Sequence, residues 1–356
     1  MTDRHPPSHT YAQASIGAAV TIGGKSYVVE ESLRAEGGVS EVWKVKSQAN
    51  GDSAVLKRCH SKEGYEQETS VRESVGRSSR DVLLELIAQD APERLILLEL
   101  GTETLRQKLE SGPLDEVLEE GVVKMVSKHV LKGIKALHDR KLVHLDVKPD
   151  NIMGVTKAGT TAVTWKLFDL DDCREIGKSV AGFTPNYAAP ELAQAKLQGR
   201  EVSASKAMDI WAFGAVVYEM ATGEVLIPQT GEAALALLGA PSEQIKSHIL
   251  NAFTCLQNGR FGKQANLLNL VNAMLQPEST RADVHKLSGM GFIAGSLTTV
   301  VDQIIDKRFG GLTQMIYEVQ EEVKHVAKTL EEMKEQLTSI DAGLTSLIEH
   351  DDNGAS

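Results

Sequence analysis

Between Ser26 and Leu100 the apolar residues come in short runs, not at helical spacing. SYVVEESL, EVWKVK and SAVLKRC are rich in β-branched and aromatic residues, and Gly37-Gly38 and Asn50-Gly51-Asp52 separate them as turn signals. The second of these turns is a hairpin signature. A charged helix is expected from about Lys62 to Val75, bounded by Gly64 and Gly76. Two further apolar runs, Val82–Ala88 and Leu95–Leu100, read as strands. Five strands and one helix predict a small α+β unit.

The pattern changes after Gly101. Val122, Val123, Val126, Val130, Ile134 and Leu137 fall at helical spacing and predict one long buried helix. A loop with Pro149 and Asn151 follows, then a short strand over Trp165–Phe168, a Gly- and Pro-bearing loop to Pro190, and an apolar helix around Ile210–Met220. Helical segments continue to about Leu287, so this half is mainly α. Ser288–Ser296, rich in Gly and Ser, reads as a junction.

The last segment has the most regular pattern. Ile316, Val319, Val323, Val326, Leu330, Met333, Leu337, Ile340, Leu344 and Leu347 are spaced by alternating threes and fours. That is a heptad repeat with apolar a and d positions, which predicts a left-handed coiled coil over residues 305–347. The alternative is a single amphipathic helix packed on its own domain, whose stripe would drift toward a period of 3.6. The a and d layers mix Ile, Val, Leu and Met, so neither stoichiometry nor partner is specified.

Composition narrows the class. The 356 residues are 42% hydrophobic and 24% charged, the balance of a soluble globular protein. A net charge of −11 argues against nucleic acid or an anionic membrane as partner. No stretch is apolar and long enough to span a bilayer. Cys59, Cys173 and Cys255 are scattered, which reads as reduced thiols and a cytoplasmic or nuclear setting. Residues 1–24 have no apolar core and are expected to form a disordered tail.

The stretch that carries chemistry is His144-Leu145-Asp146-Val147-Lys148-Pro149-Asp150-Asn151. It resembles the catalytic loop of eukaryotic protein kinases, HRDLKPEN. The resemblance implies that Asp146 orients the substrate hydroxyl, Lys148 stabilises charge on the transferred phosphate, and Asn151 ligates magnesium. Phosphoryl transfer depends on positioning and charge neutralisation, which suits these residue types, and magnesium prefers hard oxygen donors. Asp169-Leu170-Asp171 stands where the family has Asp-Phe-Gly, making Asp169 the implied principal metal ligand. Asp171 departs from the pattern. Either Asp171 or Asp172 can add a metal contact or be solvated surface, and the second reading is preferred. Lys57, ending Ala54-Val55-Leu56-Lys57, resembles the strand lysine that pairs with nucleotide phosphates and a helix glutamate. Glu68 has the best spacing for that partner, with Glu66 and Glu73 as fallbacks.

The phosphate-covering loop matches poorly. The family pattern GxGxxG falls on Ala35, Gly37 and Ser40, with an extra Gly38. By the same resemblance Val42 and Val55 roof the adenine of ATP, Met153 floors it, Leu98 is the gatekeeper, and Glu99, Leu100 and Gly101 form the hinge. Phe183-Thr184-Pro185-Asn186-Tyr187-Ala188-Ala189-Pro190-Glu191 resembles GTPxYxAPE, and Asp209-Ile210-Trp211-Ala212-Phe213-Gly214 matches the DxWxxG helix. The resemblance pairs Glu191 with Arg281 and has Asp209 anchor the catalytic-loop backbone.

The expected architecture is therefore α+β: a two-lobed protein kinase fold over residues 25–290. Its N-lobe spans 25–100 and its mainly α C-lobe 101–290, followed by a linker and coiled coil over 291–350. The resemblance implies transfer of the ATP γ-phosphate to serine or threonine, since Lys148 and Thr184 follow the pattern for those targets. A scaffold with little or no catalysis and a small-molecule kinase are the alternatives. The weak glycine loop and Asp171 favour the scaffold, whereas Lys57, Asp146, Lys148, Asn151 and Asp169 favour the enzyme. Leu145 replaces an arginine that in many kinases grips a phosphorylated loop, so self-association is expected to matter more than loop phosphorylation. Cys173 reads as an ordinary cysteine, with a reactive thiol as the alternative.

Overall fold

The computed structural model describes residues 15–33, 41–76, 79–111, 118–156, 160–240 and 242–294, with isolated positions at 329 and 334. Apart from those two positions the heptad segment 305–347 lies outside the described residues, as does the Gly37-Gly38 loop. The chain divides into two units, Met1–Ile293 and Ala294–Ser356.

In the first part of the chain the strands are β1 (Ala19–Ile22), β2 (Lys25–Ser32), β3 (Glu41–Ser47), β4 (Ser53–Arg58), β5 (Leu86–Asp90) and β6 (Leu95–Glu99). Among the described residues they form one antiparallel sheet in the order β1-β2-β3-β4-β6-β5. Strand alternation gives this sheet two apolar faces. Leu95 and Leu97 pack with Val29, Trp43, Val45 and Leu56 on one side. Ile96 and Leu98 point the other way, onto Cys59 and onto Tyr65 of helix α1 (Lys62–Val75). The β3–β4 hairpin closes at Gly51, whose φ of +77° suits glycine.

Two expectations change here. Ala19–Ile22 falls inside the segment expected to be a tail, yet it pairs along β2, with Val20 and Ile22 buried. The alternation Val20/Ile22 was too short to read against its Gly- and Thr-rich flanks. Gly64 lies within α1 and is no boundary: Ser61 caps the helix, its hydroxyl accepting from the Gly64 N–H at 2.9 Å.

The rest of the described chain is mainly helical. The short β7 (Glu103–Thr104) leads into α2 (Leu105–Glu110), and α3 (Glu120–His138) follows. Val123, Val126, Val130, Ile134 and Leu137 of α3 are fully buried, each contributing about 1.5–3 kcal/mol of hydrophobic stabilisation. Two small sheets lie after α3. The strand β8 (Leu142–Val143) pairs with β11 (Arg174–Glu175), while β9 (Ile152–Thr156) lies between β10 (Val163–Leu167) and β7. The helices α4 (Pro190–Leu197), α5 (Lys206–Thr222), α6 (Gly231–Leu238), α7 (Ser242–Asn258), α8 (Ala265–Met274), α9 (Val284–Ser288) and α10 (Gly291–Ala294) complete the order.

Helix α5 is buried nearly all round and is the axis of this half. Gly214 allows the close approach of α8: a Cβ there would sit 2.9 Å from the side chains of both Leu275 and Met274. At the start of α5, Arg281 forms a forked pair with Glu191, Nη1 to Oε1 at 2.7 Å and Nη2 to Oε2 at 2.9 Å. It also donates to the carbonyls of Gln276 and Ala207 and lies 5.1 Å from the Trp211 ring. This ties the α4 entry to the α8–α9 connection.

The pair makes a stability prediction. Arg281 has a fully buried side chain, so Glu191→Ala strands a buried cation and should cost about 3–5 kcal/mol. The urea midpoint should fall accordingly, and adding Arg281→Met should recover part of the loss. A double variant no more stable than Glu191→Ala alone would contradict this.

Candidate functional site

Three elements converge on one buried ammonium. β4 carries Lys57, with Val42 of β3 opposite it in register. Its Nζ lies 2.9 Å from Glu68 Oε2, 2.7 Å from Asp169 Oδ1 and 3.0 Å from Asp171 Oδ1. Glu68 is fully buried on α1, four residues before Arg72. The Arg72 guanidinium donates to Glu68 Oε1 through Nε at 3.1 Å and Nη2 at 2.7 Å, and through Nη1 to the Leu84 carbonyl. Of the three glutamates weighed from the sequence, the structure places Glu68 on Lys57; Glu66 faces Lys62 and Glu73 faces Gln89.

The electrostatics follow from burial against charge. Burial works to lower the Lys57 pKa, but Glu68, Asp169 and Asp171 outweigh it and raise it well above the ordinary lysine value. Burial would raise Glu68, yet Lys57 and Arg72 hold it below the usual carboxylate range. Asp171 goes the other way: burial, opposed by Lys57 and reinforced by Asp169 and Glu68, pushes it up to about 7. Asp171 is therefore part of the site, which corrects the solvated-surface reading. Its backbone lies outside the left-handed region, so this arrangement does not require a glycine at 171.

The second group sits on the loop between β8 and β9. Asp146 Oδ2 meets Lys148 Nζ at 2.7 Å and accepts from Asn151 Nδ2 at 2.8 Å, while Oδ1 accepts from the Thr184 hydroxyl at 2.6 Å. Lys148 also donates to Thr184 Oγ1 at 2.7 Å. Burial would raise Asp146, but Lys148, the Thr184 hydrogen bond and His144 hold it below the ordinary value. Phe168 N donates to the Asn151 carbonyl at 3.1 Å, and His144 Nε2 contacts the Phe168 carbonyl at 3.2 Å. These contacts fasten the Asp146 loop to the segment that presents Asp169.

Asp209 of α5 holds this loop from below. Its Oδ2 accepts from His144 N at 2.9 Å and lies 2.8 Å from His138 Nε2, and its Oδ1 accepts from Leu145 N at 2.8 Å. Leu145 and Asp169 adopt left-handed φ values of +68° and +60°, a strained conformation for residues with a Cβ. Asp209 secures the first; the Lys57 pair and the buried Leu170 secure the second.

The remaining predicted residues fall around the strand ends. Val55 faces Leu98 across β4–β6, and Ala54 faces Glu99. Gly101 packs so tightly that a Cβ would lie 2.1 Å from Met153 Cγ. The Gly101 N–H has no hydrogen-bond partner among the described residues, leaving a donor for a ligand at the hinge. No sequence pattern hints that the Glu99 carboxylate accepts from Lys166 Nζ and the Glu85 N–H. The network of Arg106 was also missed: Nη1 donates to Glu219, Nη2 to the Tyr187 hydroxyl at 2.6 Å, and Tyr187 to Glu219 at 2.7 Å. A lone arginine on an amphipathic helix gives no sign of such partners. A separate cavity of about 880 Å³ is lined by Trp211, Leu238, Ile249, Phe253 and Leu268 and contains none of these groups.

A two-lobed domain with a buried lysine–glutamate pair above an Asp-Lys-Asn loop defines the class, and the chain belongs to the protein kinase domain family, whose model matches residues 28–289. It is similar to human mitogen-activated protein kinase kinase kinase 5, 34% identical over 131 residues, which are 35% of this chain and 9% of that protein. The death-associated protein kinase dapk-1 of Caenorhabditis elegans is 30% identical over 177 residues, 48% of this chain and 11% of that protein. Serine/threonine-protein kinase SMU1 of Mycosarcoma maydis is 34% identical over 126 residues, 33% of this chain and 15% of that protein. The chain thus spans only 9–15% of these relatives' length.

Two predictions follow from this geometry. Asp209→Asn leaves one acceptor oxygen where two amides and a histidine converge. Hydrogen exchange at the His144 or Leu145 amide should rise about tenfold or more, with α8 unaffected; unchanged exchange would remove Asp209 as the anchor. Burial pushes the Cys59 thiol up to about 12 and Cys173 higher still, whereas Cys255 is exposed. Iodoacetamide at pH 8 should alkylate Cys255 first and leave Cys59 and Cys173 until unfolding. Rapid labelling of Cys173 would show that it is a reactive thiol.

Proposed function

We propose that this chain transfers the γ-phosphate of ATP to serine or threonine hydroxyls of proteins, with magnesium as the metal. The observation that carries the proposal is the joint assembly of Lys57–Glu68–Asp169 and Asp146–Lys148–Asn151. The donor set suits magnesium. Asn151 uses Nδ2 on the Asp146 carbonyl and carboxylate, so its Oδ1 is left as a hard oxygen donor. The Asp169 side chain, 40% exposed, offers a second. Magnesium, when bound, neutralises charge on the phosphate oxygens.

The chain's own residues supply the rest. Lys57 contributes a fixed positive charge at the nucleotide phosphates. Asp146, with its depressed pKa, is ionised and orients the acceptor hydroxyl; little proton abstraction is needed in a loose phosphoryl transfer. Thr184 already presents an aliphatic alcohol to Asp146 at 2.6 Å, so the loop is shaped to hold one. Lys148, bridging Asp146 and Thr184, stands where charge develops on the transferred group.

One relative, SMU1 of Mycosarcoma maydis, is named a serine/threonine-protein kinase, which agrees with serine or threonine as the target. The heptad pattern at 305–347 supports self-association or a coiled-coil partner, and the scattered thiols support a cytoplasmic setting. A second reading, a scaffold with little catalysis, is favoured by one observation: every donor of Lys57 already has a partner within the chain.

The test is transfer of labelled γ-phosphate to a generic protein substrate, with magnesium or with EDTA. Label should appear on phosphoserine or phosphothreonine, require magnesium, and fall at least about 100-fold in Asp146→Asn. Undiminished transfer by Asp146→Asn would overturn the assignment of Asp146. No transfer by the folded wild-type protein would favour the scaffold.

A further inference from the structure

An ammonium group has three N–H donors. Those of Lys57 are matched one for one by Glu68 at 2.9 Å, Asp169 at 2.7 Å and Asp171 at 3.0 Å. A phosphate oxygen arriving at Lys57 must therefore displace one of these carboxylates. Glu68 is poorly placed to yield, being fully buried and held by two nitrogens of Arg72. Asp169 sits at the left-handed backbone position beside Asn151, where the proposed reading needs it as a metal ligand.

Asp171 differs from Glu68 in exposure, its side chain being 36% exposed, and from Asp169 in that the proposed reading gives it no metal to hold; like Asp169, it pairs with no cation other than Lys57 among the described residues. Its main chain is nonetheless firmly placed. Arg174 Nη1 donates to the carbonyls of Asp171 and Cys173, Cys173 N donates to the Leu170 carbonyl, and Gln67 of α1 donates to the Cys173 carbonyl at 2.6 Å. The carboxylate is thus delivered to Lys57 by an anchored turn, where it also lies against the Glu68 carboxylate.

We infer that Asp171 is a built-in competitor for Lys57, a positioning residue that occupies the donor a nucleotide phosphate needs and so weakens nucleotide binding. The inference rests on the nucleotide-binding reading given above. Competition for the donor and repulsion between the Asp171 carboxylate and the phosphates act in the same direction. Asp172 separates the two effects. It is the adjacent carboxylate and has no contact with Lys57 among the described residues, so it contributes repulsion without competition.

The test is direct binding of ADP and of adenosine, by calorimetry, to wild-type, Asp171→Asn and Asp172→Asn proteins, in EDTA and again with magnesium. The isosteric change at 171 keeps the turn's backbone contacts. ADP should bind Asp171→Asn about three- to tenfold more tightly than wild type, a modest effect because the carboxylate is partly exposed. Adenosine affinity should be unchanged, and Asp172→Asn should show a smaller gain. Equal gains in the two variants would reduce the effect to general charge and overturn donor competition. Weaker ADP binding by Asp171→Asn with magnesium would instead make Asp171 a metal ligand and also overturn it. If wild type binds ADP and Asp171→Asn binds no better, this inference alone falls. If neither protein binds ADP or adenosine, the nucleotide reading falls with it.

Discussion

The ion pair between Lys57 and Glu68 joins a strand, a helix and the segment bearing Asp169. It stands at the contact of β4 with α1, and through Asp169 reaches the loop that follows β10. A buried pair of this kind is a weak source of net stability, because desolvating both charges offsets most of their attraction. Its value is positional. Glu68 tolerates full burial only with cations on both oxygens, Lys57 on Oε2 and Arg72 on Oε1. That requirement fixes the rotation of α1, since a turn of one residue would remove the carboxylate from both partners.

The helical half solves the same problem with different chemistry. Asp209 turns its two oxygens to the backbone amides of His144 and Leu145, with His138 Nε2 also on Oδ2, and so holds Leu145 in a left-handed conformation. Arg281 uses its fork on Glu191 and on carbonyls that end neighbouring elements. In both cases a buried charge is satisfied by several partners drawn from separate stretches of sequence. Losing one partner leaves the others unpaired, so these positions tie distant segments into one cooperative structure.

Much of this was legible in the sequence, and the reason is local pattern. The α3 stripe, the β3–β4 hairpin and the α1 span follow from spacing and turn residues alone. The site was legible through the resemblance to protein kinases, which is carried by residues in short runs, as in Asp146-Val147-Lys148 with Asn151. Within α1 the partner of Lys57 could be ranked, Glu68 first with Glu66 and Glu73 behind it, and the structure places Glu68 there. Where no run exists, reading failed. Arg106, Tyr187 and Glu219 carry no pattern that links them across the 113 positions from first to last. Asp171 was misread because exposure of a charged residue in a loop is the ordinary expectation, and only tertiary placement brings it onto Lys57. β1 was missed because a four-residue edge strand has too few alternations to register.

The segment from Asp169 to Glu191 shows how a loop can be ordered without an added charge. Leu145 fills the position where the resemblance expects an arginine, and it is buried. An apolar residue there gains from burial but offers no grip on a phosphate. The segment's order comes from contacts already within the chain: β11 on β8, Thr184 between Asp146 and Lys148, Tyr187 between Arg106 and Glu219, and Glu191 on Arg281. Thr184 in particular has its hydroxyl engaged by the two residues proposed to act on substrate, so a phosphate there would sit against the Asp146 carboxylate. Such a group would meet the Asp146 carboxylate and the Lys148 ammonium together, with no arginine at position 145 to grip it.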